Sequence, residues 1–87
     1  MALPRHYPYR QGSLAHQLRV EAYHALNRVL LALPAGTYRT LEVAVKARLS
    51  LEAVESLCLH APVQGRRLAR GRAVHVRTRR HELTLGT

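Results

Sequence analysis

Apolar positions recur at intervals of three and four from Leu14 onward: Leu14, Leu18, Ala22, Ala25, Val29 and Leu33. That period predicts an amphipathic helix, and Leu26 and Leu30 widen its stripe. His16, Gln17, Glu21, His24, Asn27 and Arg28 fall mostly elsewhere on the wheel. Ser13 is a suitable N-cap and Pro34 with Gly36 ends the run, which gives about 20 helical residues. After the breaker PAGTYR the pattern restarts twice. Thr40 is placed to cap a helix through Leu41, Val43, Ala44, Val45 and Ala47. Ser50 is placed to cap another through Leu51, Val54, Leu57 and Cys58, closed by Pro62. Glu42 and Glu52 each stand in a first turn, where the helix dipole favours an anion. Two short capped helices separated by Arg48-Leu49-Ser50 read as a helix-turn-helix.

The period then changes from helical to two. In GRRLARGRAVHVRTRR, residues 65–80, Gly71-Arg72 suits a tight hairpin turn, and Val74 and Val76 alternate with polar neighbours. A two-residue turn pairs Ala69 with Val74 and sets Leu68 opposite His75. A three-residue loop pairs Leu68 with Val74 and leaves Arg67, His75 and Arg77 on the outer face; both registers stay open. Residues 81–87, HELTLGT, prolong the strand or fray. Residues 1–12 carry Pro4, Pro8 and Gly12 and read as an extended arm. The expected organisation is thus an arm at 1–12, one folded unit at 13–80, and a tail or strand extension at 81–87.

The order helix, short helix, turn, helix, basic hairpin resembles a winged helix-turn-helix domain over roughly residues 13–80. The residues that carry the resemblance are LEVAVKARLSLEAVESLCLH for the two-helix unit and GRRLARGRAVHVRTRR for the wing. It implies an α+β, mainly helical fold of three helices plus a basic C-terminal β-hairpin wing. It also implies a small strand before the second helix, at Thr37-Tyr38-Arg39. Arg48 stands where that family often has a glycine, a departure at a point that calls for positive φ.

Charge sharpens the picture. The chain has 87 residues and a formal charge of +9, from 14 Lys and Arg against five Glu and no Asp. So large an excess implies a negative partner, and arginine suits forked contacts to phosphate. Seven arginines fall within 65–80 without a balancing acid: Arg66, Arg67, Arg70, Arg72, Arg77, Arg79 and Arg80. Arg5 and Arg10 add cations to the arm. The third helix runs the other way, with Glu52, Glu55, Ser56 and Leu59 outward and no Lys or Arg. Basic neighbours for it would come from Arg39, Lys46 and Arg48, with Ser50 beside them. Burial is the ordinary expectation for Leu59.

Other chemistries find little support. The lone Cys58 gives no disulfide framework and points to a reducing, cytoplasmic setting. His6, His16, His24, His60, His75 and His81 include no pair at metal-binding spacing, so neither a metal nor a cofactor is expected. No nucleophile has an evident base, and no glycine-rich phosphate loop exists, which argues against an enzyme. No apolar run is long enough for a membrane span.

The expected function is a DNA-binding module, a small transcriptional regulator, with double-stranded DNA as partner. Its wing would hold phosphates while the helix-turn-helix faces the groove. A protein-interaction module on the same fold, such as an accessory subunit or mobile-element inhibitor docking on an acidic protein surface, is the alternative. RNA binding shares the electrostatics but lacks an aromatic platform. The apolar surplus of the first helix, at Leu26, Leu30, Leu31 and Leu33 with Tyr23, leaves room for a homodimer.

Overall fold

A computed structural model of the chain describes residues 12–59 and 68–87. Within them lie three helices, α1 (Leu14–Ala32), α2 (Thr40–Ala47) and α3 (Leu51–Leu59), and three strands, β1 (Gly36–Arg39), β2 (Val74–Arg77) and β3 (Glu82–Leu85). The strands form one antiparallel sheet in the order β1-β3-β2. This mainly helical α+β layout is compatible with a winged-helix arrangement.

Local chemistry explains most boundaries. Ser13 caps α1 by accepting from the His16 N–H at 3.1 Å, and Ser50 caps α3 by accepting from the Ala53 N–H at 3.1 Å. Thr40 does not cap. It is the first residue of α2, while Arg39 occupies the cap position with no side-chain hydrogen bond. The Thr40 N–H instead donates to the His81 carbonyl at 2.8 Å. Its hydroxyl is fully buried and has no hydrogen-bond partner among the described residues.

Arg48 ends α2 in the left-handed region, at φ 57 and ψ 43. Its N–H donates to Val45 O at 3.1 Å, and the Leu49 N–H donates to Ala44 O at 2.9 Å. This pair of bonds is the Schellman closure of a helix end, usually built on glycine. Leu49 packs on the core beside it.

The buried stripe of α1 differs from the one its periodicity predicts. His16, Arg19, Tyr23, Leu26 and Leu30 are buried, whereas Leu14 and Leu18 are 70% and 56% exposed. The buried series keeps spacings of three and four, but it is centred on the Leu26–Leu30 side that merely widened the predicted stripe. Long polar side chains bury their apolar bodies easily, so His16 and Arg19 extend it. Leu26 and Leu30 go entirely into the core, whereas Leu31 stays exposed on α1.

The hairpin departs furthest from its expected form. Gly71-Arg72 is not its turn: Leu68–Gly71 forms a tight left-handed turn, with φ of 53 at Ala69, 51 at Arg70 and 85 at Gly71. That turn docks on α1, where the buried Ala69 donates its N–H to Asn27 Oδ1 at 2.6 Å. The actual hairpin joins β2 to β3 through residues 78–81, pairing Val74 with Leu85, Val76 with Leu83 and Arg77 with Glu82. Neither expected register occurs. Residues 82–85, read as a tail or extension, are the central strand, and Leu83 and Leu85 are buried almost completely. Val74 and Val76 face inward as their alternation predicts, with His75 and Arg77 exposed. The helix closure at Pro62 lies outside the described residues.

Candidate nucleic-acid interface

Alternation along the strands leaves a polar outer face on the sheet. Two cross-strand rows run over it: Thr37, Thr84 and His75, then Arg39, Glu82 and Arg77. Thr37 and Thr84 bring their hydroxyl oxygens to 3.2 Å. In the second row one carboxylate stands between two guanidinium groups, so the row keeps a net positive charge. The turn that follows Arg77 is closed by the Arg80 N–H donating to Arg77 O at 3.2 Å and the His81 N–H donating to Thr78 O at 3.3 Å. Thr78, Arg79, Arg80 and His81 are all exposed.

This turn meets two helices. His81 binds the start of α2 through its carbonyl, and its Nδ1 lies 3.5 Å from Glu55 Oε2 on α3. Arg39 leads directly into α2, Arg79 and Arg80 sit in the turn that the His81–Thr40 bond fastens to that helix start, and Arg77 lies across β3 from Arg39; among the described residues no side chain caps α2. None of the four forms an ion pair with a carboxylate among the described residues. The helix dipole and these guanidinium groups favour an anion here, with Glu42 in the first turn of α2 as the opposing charge and the Thr40 N–H already held by His81.

The remaining sequence candidates are dispersed. Lys46 and Arg48 lie at the far end of α2, about 11 Å away along the helix. There they join Arg28 of α1 around an open groove of about 480 Å³ floored by Ala25, Val29, Ala32 and Ala47. Arg28 went unrecognised in the sequence because nothing in its own neighbourhood marks it; the groove exists only once α2 packs on α1. Ser50 has its hydroxyl engaged as the α3 cap. Arg70 is exposed on the docked turn. Arg66, Arg67, Arg5 and Arg10 lie outside the described residues.

Arg72 has a different task. Its Nε donates to Gly86 O at 2.8 Å, and its Nη1 donates to Leu30 O at 2.8 Å and Leu33 O at 2.9 Å. The guanidinium thus closes the C-terminus of α1, and it is committed to the fold rather than offered to a ligand.

On α3, Glu52 is exposed, whereas Glu55 and Ser56 are partly covered. Leu59, placed among the outward positions although burial is the commoner fate of a lone leucine, is 60% exposed. Cys58 is half-buried, and burial, reinforced by Glu55, pushes its thiol up to about 12. Among the described residues no three His, Cys, Asp or Glu side chains gather as a metal centre, and no helix is long and apolar enough to cross a membrane. No family model matches the chain, and no curated protein or solved structure matches it.

Proposed function

We propose that this chain is a DNA-binding module of the winged-helix kind, acting as a small regulator that grips the phosphate backbone. The observation that carries this reading is the set of Arg39, Arg77, Arg79 and Arg80 along the hairpin end of the sheet, beside the start of α2, all exposed and free of ion pairs with described carboxylates. The hairpin turn and α2 would hold phosphates of one duplex face. Glu52 on α3 disfavours deep entry of that helix between two phosphate rows, so affinity would rest on backbone contacts and discrimination among sequences would be modest. A stacking mode suited to single-stranded RNA has less support. Tyr23 is buried, and the half-buried Tyr38 is held by its hydroxyl donating to Pro34 O at 2.6 Å.

The test is fluorescence anisotropy of a labelled random-sequence duplex, titrated with the protein across a range of salt. Four phosphate contacts predict a slope of log K against log salt of about −3.6, and Arg79→Ala with Arg80→Ala together lowers its magnitude by about 1.8. Absence of any anisotropy change at micromolar protein and low salt rejects the proposal. So does an unchanged slope in the double variant.

A further inference from the structure

We infer that the groove between α1 and α2 is a docking site for an acidic amphipathic helix of a partner protein. Its floor is apolar (Ala25, Val29, Ala32 and Ala47), and its rim carries Arg28, Lys46 and Arg48 with no carboxylate. All three cations are exposed and none forms an ion pair among the described residues.

Two features select a protein helix over a phosphate. First, the backbone here presents helix C-termini: Ala47 and Arg48 end α2, and Ala25 to Ala32 is the second half of α1. C-termini offer no free N–H donors to cradle a phosphate at the backbone, so an anion here is held only by the rim side chains, which reach carboxylates standing away from the helix ends. Second, the small floor residues let another backbone approach closely and call for an apolar counterface. A carboxylate on a flexible side chain satisfies the rim while leucine-sized residues cover the floor.

The stretch from Ala25 to Ala32 is about 10 Å long, so two turns of a partner helix span it. This chain does not supply that helix from the residues outside the described ones, because residues 1–11 and 60–67 contain arginine and histidine but no acid. The groove also lies at the opposite end of α2 from the hairpin arginines, so a partner and a duplex can be held together.

The experiment is an amide chemical-shift titration of the full chain with three probes: a synthetic helical peptide carrying leucine on one face and glutamate on its flanks, the same peptide with lysine for glutamate, and a short DNA duplex. The glutamate peptide is expected to shift Ala25, Val29, Ala32 and Ala47, the lysine peptide to leave them in place, and the duplex to move hairpin residues instead. Arg28→Glu with Arg48→Glu should weaken peptide binding about tenfold or more. Lys46→Glu provides a second route, and thermal melts check that both variants fold. No groove shifts with millimolar glutamate peptide would overturn the inference. Equal response to the lysine peptide would do so too. Duplex-induced shifts at the groove would make it part of the nucleic-acid surface, and groove shifts on simple concentration would make a second copy the occupant; either result also refutes it. Failure of duplex binding alone sinks the reading of the hairpin and leaves this one standing.

Discussion

Replacing Arg72 with alanine tests whether the arginine-rich segment is partly structural. The side chain makes three hydrogen bonds, to Gly86 O at 2.8 Å, Leu30 O at 2.8 Å and Leu33 O at 2.9 Å. Bonds from a charged donor contribute about 1.5–3 kcal/mol each on deletion, with strong non-additivity when one side chain makes them all. Part of the loss is recovered as water reaches the freed carbonyls. A net destabilisation of about 3 kcal/mol follows, to which the lost charge at the α1 C-terminus contributes about 0.3–1 kcal/mol. A domain of 87 residues holds about 4–13 kcal/mol in total. At 4–8 °C per kcal/mol, Tm should fall by about 12–24 °C.

Thermal and urea unfolding followed by circular dichroism measure this directly, with Arg70→Ala as control. Arg70 is exposed and makes no hydrogen bond among the described residues, so its loss should stay within about 0.5 kcal/mol. Arg72→Lys should recover only a fraction, since a point charge cannot fork between β3 and the helix end. The deficit should persist in molar salt, where the Debye length of about 3 Å screens exposed charges but not contacts at hydrogen-bond distance. Full stability in Arg72→Ala, or full rescue by lysine, refutes the reasoning. Phosphate binding is cleanly tested only at Arg79 and Arg80, because a duplex assay on an Arg72 variant would read unfolding as lost affinity.

Other substitutions probe separate parts of the fold. Arg48→Gly should stabilise by about 1 kcal/mol, raising Tm by about 4–8 °C, because glycine holds φ 57 without Cβ crowding. Thr40→Val should stabilise by about 1 kcal/mol in urea unfolding by removing a buried hydroxyl that has no partner among the described residues. Cys58 should alkylate roughly a thousandfold more slowly in the folded chain than in urea at pH 8, since burial lifts its thiol from 9.0 to about 12. With the folded-state value raised, its contribution to stability is complete below pH 9 and is lost between 9 and about 12; a Cys58→Ala variant should show a shallower decline there.

Why the helices were legible and the hairpin was not has a physical answer in two signals of unequal strength. Ser13, Ser50, Pro34 and the recurring apolar positions act locally, so the three helices lie close to where the sequence places them. Even the conflict at Arg48 is visible, because the three-residue link between the packed helices closes α2 through a residue at positive φ, the place a glycine usually takes. The hairpin offered a misleading cue, since Gly71 before Arg72 carries strong turn chemistry. That glycine does adopt positive φ, at 85, but it ends a turn pinned to α1 by Asn27 and followed by the Arg72 bond to Leu30, each contact 42 residues apart in sequence. The true turn, Thr78-Arg79-Arg80-His81, contains no Gly, Pro, Asn or Asp. Its position follows instead from the strand it feeds: Glu82, Leu83, Thr84 and Leu85 alternate at period two, with both leucines inside. Leu83→Ala should therefore cost about 2–5 kcal/mol, as for a buried core leucine. A cost below about 0.5 kcal/mol in urea unfolding would return residues 82–85 to the status of a tail. It would also detach Arg79 and Arg80 from the rigid support that the proposed phosphate grip requires.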